Sequence, residues 1–181
     1  HPPLAKEIMA GSILLFGERN FSARIPGALA GVGIVYLTYL IALTLTKSRD
    51  ISIISAILIS LDGLVFTMSR IATADVYFVF FMLFTYYLYL KDKYLFSSVL
   101  LGLTLATKWT TFWFLPLLLI THISLRRKIF DVRLIMFFVI PVLIYLLSYA
   151  PMFMFGHDFE HFIGMQKQMW WYHTGLKATH P

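Results

Sequence analysis

The fold is decided by residues 25–46, which read IPGALAGVGIVYLTYLIALTLT and contain no charged side chain. A helix that crosses a bilayer needs roughly 17–25 mostly apolar residues, and this stretch is long enough. It therefore predicts a transmembrane helix. Similar apolar runs follow it along the chain, separated by short polar segments.

The composition of the whole chain also indicates an integral membrane protein. Hydrophobic residues make up 59% of the 181 residues and charged residues only 13%, an apolar share well above that of soluble domains. The formal net charge is +6, but the basic residues form short clusters between apolar runs, which does not indicate a nucleic-acid partner. Because the chain has no cysteine, disulfides and thiolate metal sites are excluded.

The apolar runs predict an all-α bundle of about six transmembrane helices. We expect two helices within residues 94–125, because a single one would measure about 48 Å against a hydrocarbon core of about 30 Å. Pro141 and Pro151 are expected to kink or end the last helix. The predicted spans are residues 25–46, 51–69, 76–90, 94–107, 109–125 and 134–155.

Basic residues between the spans predict which side of the membrane each turn faces. Segments 47–50, 91–93 and 126–133 carry two, two and four Lys or Arg residues, whereas the alternate turns carry only Arg70 and Lys108. Since basic loops tend to stay in the cytoplasm, we expect Arg70, Lys108 and both chain ends on the outer or lumenal side.

Two flanking segments are amphipathic and are predicted to lie along the outer membrane surface. Residues 4–16 place apolar side chains on one helical stripe, and residues 158–172 mix tryptophan and other aromatic residues with charged ones. Aromatic residues favour the interface, although an ordinary extramembrane loop explains the same pattern. The chain thus divides into an outer segment 1–22, a transmembrane region 23–155 and an outer segment 156–181.

The first candidate site is the turn Ser69-Arg70-Ile71-Ala72-Thr73-Ala74-Asp75. An arginine at the membrane boundary is unfavourable unless it is paired, and its guanidinium suits bidentate binding of a phosphate. Arg70 is therefore a candidate phosphate ligand. Alternatively, Arg70 pairs with Asp75 and only fixes the hairpin.

Lys108 is the second candidate, within Ala106-Thr107-Lys108-Trp109-Thr110-Thr111. A lone cation between two closely joined helices lies where the phosphate of a lipid would be found. A lysine that merely reaches the polar interface is the commoner explanation of such a residue.

The ends of the chain supply weaker candidates. His1 and Lys6 suit an anionic ligand, and equally suit the start of a helix with a solvated lysine. His173, Lys177 and His180 suit a phosphate, a sugar or a metal, but histidines without a carboxylate at matching spacing make a poor metal site.

Two further charged residues are assigned no catalytic role. Asp62 is the only charge within its predicted span, and we expect it to make a structural hydrogen bond rather than to mark an ion path. Arg24 stands before the first span and is either functional or a boundary residue.

Taken in order, these motifs resemble one enzyme family. The sequence begins His-Pro-Pro-Leu-x-Lys, continues with Arg-x-Pro at 24–26, Ser-Arg-Ile-Ala-x-x-Asp at 69–75 and Ala-Thr-Lys-Trp at 106–109, and ends in Tyr-His-x-x-Leu-Lys-Ala-Thr-His-Pro. This order resembles the dolichyl-phosphate-mannose–protein mannosyltransferases, and the last motif is the most specific. The resemblance covers the whole chain, which is expected to be a fragment from the front half of the membrane domain, without the first span.

The resemblance implies a glycosyltransferase fold of the C type, with an active site at the outer leaflet. Such enzymes transfer mannose from a polyprenyl phosphate to Ser or Thr hydroxyls of exported proteins and invert the anomeric centre. Arg70 carries over as a phosphate ligand oriented by Asp75, and Lys108 as a second cation that stabilises the leaving phosphate. The sugar or acceptor side would be shaped by His173, Lys177 and His180.

The resemblance also implies a catalytic base, an Asp of an Asp-Glu pair upstream of His1. Neither Asp75 nor Asp62 matches that pair, so the catalytic residue stays unassigned and the fragment is expected to be inactive alone. The implied partners are a lipid-linked sugar donor, a Ser/Thr-containing polypeptide and membrane lipid, with no metal or other cofactor and no nucleic acid. The expected location is a prokaryotic plasma membrane, or the endoplasmic reticulum membrane in a eukaryote.

Three other functions stay open on the sequence alone. A related enzyme of the same fold would transfer aminoarabinose from a polyprenyl phosphate to lipid A, although the Leu-Lys-Ala-Thr-His-Pro tail argues against it. A transporter would use Asp62 as an ion site and would show broken helices in two corresponding halves. The third alternative is a non-catalytic subunit or a truncated gene product.

Overall fold

The computed structural model of the protein describes residues 1–126 and 132–175, which form helices joined by short connections. Two 3₁₀ turns, Trp109–Phe114 and Val132–Ile135, precede the helices that begin at Leu115 and Met136. The helical membrane bundle predicted from the sequence is confirmed. The α-helices are α1 (Leu4–Phe16), α2 (Ile25–Thr46), α3 (Arg49–Ser60), α4 (Gly63–Arg70), α5 (Ala74–Leu90), α6 (Tyr94–Thr107), α7 (Leu115–Arg126), α8 (Met136–Leu147), α9 (Ala150–Met154) and α10 (Phe159–Gly175).

Helix length and apolarity support fewer spans than the six predicted. Among the described residues, α2 and the run Met136–Met154, formed by α8 and α9, are long and apolar enough to cross a bilayer. The number rises to three if the bent pair α3 and α4 is one span. Helix α5 is apolar but has only 17 residues. Such a helix measures about 25 Å, which is less than the hydrocarbon core of about 30 Å. The same holds for α6 and for the segment Trp109–Leu125.

The predicted span 51–69 is not one straight helix. It begins earlier, at Arg49, and breaks after Ser60 with a bend of 59° between α3 and α4. The Asp62 carboxylate accepts a hydrogen bond of 2.8 Å from the backbone N–H of Val65 and so caps α4. Because a capping residue has extended backbone, the helix must restart there. The structural role predicted for Asp62 is confirmed, and a carboxylate used as a cap gives no support to an ion site.

The two prolines affect the last span less than predicted. Pro141 lies buried within α8, and the helix continues to Leu147. Pro151 lies in the first turn of α9, where its missing N–H removes no helical hydrogen bond. Despite both prolines, the run Met136–Met154 is long and apolar enough to cross a membrane.

Glycines allow α2 to pack closely against the end of α4. A Cβ built on Gly31 would lie 2.6 Å from the Cβ of Ser69, and one built on Gly27 would lie 3.3 Å from the Ser69 carbonyl oxygen. The last turn of α4 therefore lies directly on the first half of α2. Since only a short turn separates α4 from α5, the starts of α2 and α5 and the end of α4 meet at one end of the bundle.

Two clusters of buried side chains hold the helices together. The first joins α1, α2 and α5, and the second joins α5, α6, α7 and α8 with the 3₁₀ turn before α7. The first cluster lies next to the candidate site residue Asp75, because it contains the following residue, Val76. Its buried members are Ala5, Ala30, Ile34, Val76 and Tyr77.

Candidate functional site

An ion pair joins the start of α5 to the end of α6. The Lys108 Nζ lies 2.5 Å from Oδ1 of Asp75, and the two side chains are 23% and 45% exposed. Asp75 stands in the first turn of α5, where the helix dipole favours a carboxylate. Lys108 follows α6 in extended backbone. The pair therefore holds the ammonium at the end of the bundle, where it is partly buried.

The partner of Asp75 differs from the prediction. A pair between Arg70 and Asp75 is one alternative from the sequence, and the family resemblance implies that Asp75 orients Arg70. The structure pairs Asp75 with Lys108 instead, so that expectation is wrong. The physical reason is that Ile71 and Thr73 are extended and separate Arg70 from Asp75, while α5 and α6 pack side by side. Arg70 instead places its guanidinium carbon 5.1 Å from the centre of the Phe66 ring and is exposed.

A cavity of about 320 Å³ opens beside the ion pair. Its charged lining residues are Lys108 and Asp75, and α2, α4 and α5 supply the rest of its wall. We call it the Lys108 cavity. The apolar part of its wall consists of Ile34, Leu64, Val65, Met68, Val76, Phe78 and Val79. Such a wall can hold a hydrocarbon chain next to a charged group.

A second cavity of about 500 Å³ lies between α1, the junction of α8 and α9, and α10. The structure brings His1, Lys6 and His173 together at its wall, and the centroids of the two histidine rings are 5.4 Å apart. We call it the α1–α10 cavity, and it shares no lining residue with the Lys108 cavity. The other two predicted tail residues, Lys177 and His180, lie outside the described residues.

Glu7 also lines the α1–α10 cavity, next to Lys6 in the sequence. Partial burial raises the pKa of the Glu7 carboxyl above its ordinary value, because desolvation disfavours the charged form. The wall thus combines a carboxyl, an amine and two imidazoles, all of which can make hydrogen bonds to a polar ligand. Across residues 1–126 and 132–175, no three His, Asp or Glu side chains are grouped as a metal site would require.

A hydrogen-bond network connects the neighbour of Lys108 to α10. The Tyr145 hydroxyl of α8 accepts a hydrogen bond of 3.0 Å from the Trp109 indole N–H and donates one of 2.5 Å to Oε1 of Gln166. The Tyr149 hydroxyl lies 3.2 Å from that of Tyr145, and Tyr149 also lines the α1–α10 cavity. This network was not predicted from the sequence. The sequence features that could have indicated it are a tyrosine within an apolar run and a glutamine on an amphipathic helix.

The sequence of the chain matches a known protein family. Residues 1–156 match the family model described as dolichyl-phosphate-mannose-protein mannosyltransferase. The polyprenol-phosphate-mannose–protein mannosyltransferase of Mycolicibacterium smegmatis is 28% identical over 200 residues, which cover 84% of this chain and 39% of that protein. The protein of the same name from Mycobacterium tuberculosis is 30% identical over 114 residues, covering 60% of this chain and 22% of that protein. No solved structure matches the chain.

The family match covers most of the candidate site residues, and the chain covers only part of the related proteins. The chain spans 39% of the length of the Mycolicibacterium smegmatis protein. The family match contains Arg70, Asp75 and Lys108 as well as His1 and Lys6, whereas His173 lies beyond it. Since the match extends over most of the sequence, the chain belongs to the dolichyl-phosphate-mannose-protein mannosyltransferase family.

Proposed function

We propose that this chain contributes the donor site of an inverting transferase, which moves mannose from a polyprenyl phosphate to Ser or Thr hydroxyls of proteins. The observation that carries the proposal is the Lys108 cavity, where an ammonium stands beside an apolar wall. A polyprenyl phosphate has the matching two parts, an apolar chain and an anionic headgroup. The family membership of the chain supports the same chemistry.

The transfer requires stabilisation of a leaving phosphate. The bond between the anomeric carbon and the phosphate oxygen breaks, and its electron pair leaves with the phosphate. The acceptor hydroxyl attacks the opposite face of the anomeric carbon, and its proton passes to the carboxylate base that the family resemblance implies. Cations near the phosphate lower the free energy of the transition state as negative charge develops there. Lys108 is positioned for this role.

Arg70 does not line the Lys108 cavity, but it would supply a second cation from the neighbouring end of α4. It ends α4, whose last turn is held against α2 at Gly31. Its guanidinium contacts the Phe66 ring, and no carboxylate among the described residues pairs with it. Its N–H groups are therefore available for bidentate binding of the phosphate.

The α1–α10 cavity suits the sugar or the acceptor polypeptide. Its imidazoles, carboxyl and amine can each bond to hydroxyl or peptide groups. The tail residue His173 is one of those assigned to this side by the family resemblance. Together with His1 and Lys6 it would form a polar surface separate from the lipid phosphate.

The protein is an integral membrane protein, and its bacterial relatives support a location in the plasma membrane. We propose that the end carrying Arg70 and Lys108 faces outward, because the basic segments 47–50 and 91–93 lie at the other end. Since the chain has no cysteine, cysteines introduced at Ser48 and Ser69 can be labelled without background. Only the cysteine at position 69 should react with an impermeant thiol reagent in intact cells, and the reverse pattern would contradict the orientation.

The donor site is tested by replacing its two cations. Transfer from polyprenyl-phosphate mannose to a Ser/Thr-rich peptide is measured with the purified full-length parent protein, because the base implied by the family resemblance lies upstream of His1. Lys108→Met should raise the KM for the donor about tenfold or more and also lower kcat, because the ammonium binds the donor phosphate and stabilises it as it leaves. Arg70→Lys should lower kcat by about 10²-fold, because it keeps the charge but loses the bidentate fork.

Matched variants separate this role from a structural one. Arg19 also places its guanidinium over an aromatic ring, 5.9 Å from the centre of Phe21, so Arg19→Lys controls for loss of that contact. Lys91→Met controls for loss of an exposed lysine, and both controls should leave transfer unchanged. Wild-type turnover by a correctly inserted Arg70→Ala protein would contradict the assignment of Arg70.

A further inference from the structure

We infer that Asp75 sets the charge selectivity of the Lys108 site. Its carboxylate disfavours the more highly charged phosphate monoester product relative to the singly charged phosphodiester donor, and so promotes exchange of spent lipid for fresh donor. The inference rests on the proposed function, because it assigns the phosphate of a polyprenyl lipid to Lys108.

The charge of the lipid headgroup changes during the reaction. The mannosyl phosphodiester of the donor carries one negative charge. Once the bond to the anomeric carbon has broken, the headgroup is a monoester with a charge of about −1.5 to −2 at pH 7, because its second pKa is about 6. A site made of cations alone would bind this product more tightly than the donor, and the product would then inhibit the enzyme.

The structure places a negative charge where it opposes this effect. Oδ1 of Asp75 lies 2.5 Å from Nζ of Lys108, and a phosphate oxygen bonded to the same ammonium would lie about 2.8 Å from it. The carboxylate and the phosphate oxygen are then separated by about 5 Å at most. Coulomb repulsion at that distance is proportional to the ligand charge, so it is up to twice as large for the monoester as for the diester.

Partial exposure weakens this repulsion without removing it. The Asp75 side chain is 45% exposed and the Lys108 side chain 23% exposed, so water and salt screen the carboxylate in part. The wall beside the pair is apolar, which limits screening from that side. The neutral pair also means that an incoming phosphate must compete with Asp75 for the ammonium.

A purely structural role of Asp75 makes the opposite prediction. If the carboxylate only holds the ammonium in place, its removal would loosen Lys108 and weaken the binding of both headgroups. If it sets charge selectivity, its removal strengthens binding and strengthens it more for the monoester. The sign of the change in Kd therefore distinguishes the two roles.

The experiment compares two ligands that differ in charge and in one methyl group. Polyprenyl phosphate and its methyl ester share one lipid chain, carry no sugar and undergo no transfer. Their Kd values are measured on the purified protein in nanodiscs. Asp75→Asn should tighten binding of polyprenyl phosphate about tenfold and of the methyl ester about threefold, because the repulsion energy scales with ligand charge. In transfer assays, the same variant should be inhibited by correspondingly lower concentrations of polyprenyl phosphate.

Control variants address charge, position and folding. Asp50 lies in the first turn of α3, and Asp50→Asn removes the same charge elsewhere, so both Kd values should stay unchanged. Asp75→Glu retains the negative charge and should retain the wild-type ratio of the two Kd values. If Asp75→Asn fails to insert, Asp75→Ser is a second neutral variant, with a short polar side chain.

The outcomes separate this inference from the proposed function. If Asp75→Asn weakens binding, or changes both Kd values by the same factor, the charge-selectivity role is wrong while the donor site stands. If Lys108→Met leaves the binding of both ligands unchanged, the donor site itself is wrong. Tightening that is larger for the monoester, together with loss of binding in Lys108→Met, supports both.

Discussion

The Lys108 cavity and the α1–α10 cavity each contain a lysine and a carboxylic acid, but they arrange them differently. In the first, Lys108 and Asp75 bond to each other at the ends of two helices that pack side by side. In the second, Lys6 and Glu7 are consecutive residues of α1, and consecutive side chains do not face each other on a helix. The first arrangement forms a compact neutral pair, and the second leaves its groups free to meet a ligand separately.

The walls of the two cavities differ as well. The Lys108 cavity shares Ile34 and Val76 with a buried cluster of the bundle, so its shape is fixed by core packing. The α1–α10 cavity includes Met152, Met165 and Met169, and methionine side chains adapt readily to different partners. The difference indicates that a fixed headgroup belongs in the first cavity and a variable acceptor in the second.

The largest effect should follow from disturbing the helix packing that supports the Lys108 cavity. In Gly31→Ala, the new Cβ would lie 2.6 Å from the Ser69 Cβ, which is closer than two non-bonded carbon atoms can approach, so α4 must move. We expect a loss of about 1–3 kcal/mol in stability, as for other overpacked cores, and a higher KM for the donor. Thermal melting and donor titration would measure the two effects.

Two further variants check that the collision is the cause. Gly11 has no atom within 4 Å of its built Cβ, so Gly11→Ala should be neutral or slightly stabilising. Ser69→Gly removes the atom that Gly31→Ala meets, and the double variant should regain most of the lost donor affinity. A double variant as impaired as Gly31→Ala alone would show that close packing of α4 does not position the donor site.

Much of the helix pattern could be predicted from the sequence, because apolar runs are a local property. The segments 4–16, 25–46 and 94–107 appear as α1, α2 and α6 with the same bounds, since polar residues flank each run. The break between α3 and α4 was harder to predict. It depends on one hydrogen bond from Val65 to Asp62, and a single carboxylate in an apolar run does not reveal whether it caps a helix.

The contacts within the candidate site were less predictable, because they depend on how the helices pack. Asp75 is only five positions from Arg70 in the sequence, which makes a pair between them an obvious alternative. It is far from Lys108, yet the packing of α5 against α6 brings Lys108 to it. The cluster of Trp109, Tyr145 and Gln166 was missed for the same reason, since its members belong to three separate segments.

A smaller effect should follow from breaking the link between the two cavities. Tyr145→Phe leaves the Trp109 N–H and Gln166 without their shared hydroxyl. An unsatisfied buried polar group typically costs about 1–3 kcal/mol, so the melting temperature should fall and hydrogen exchange in α10 should rise. Tyr36 is 62% exposed, and Tyr36→Phe should change neither. Unchanged exchange in α10 of the Tyr145→Phe protein would show that the network does not hold α10.

The smallest effect concerns the ionisation of Glu7 in the α1–α10 cavity. Partial burial raises its pKa in the folded protein above the ordinary value of 4.5, so the folded state binds more protons than the unfolded state between these two pKa values. Stability should therefore fall as the pH rises through that interval, and level off above the pKa of the folded state. Glu7→Gln has no charge to bury, so it should melt slightly higher than wild type at neutral pH and equally near pH 4. Melting curves between pH 4 and 8 would measure this, with Glu18→Gln in an exposed connection as the control. Parallel pH profiles for the wild-type and Glu7→Gln proteins would mean that the Glu7 carboxylate is fully solvated and that the cavity wall holds an ordinary surface acid.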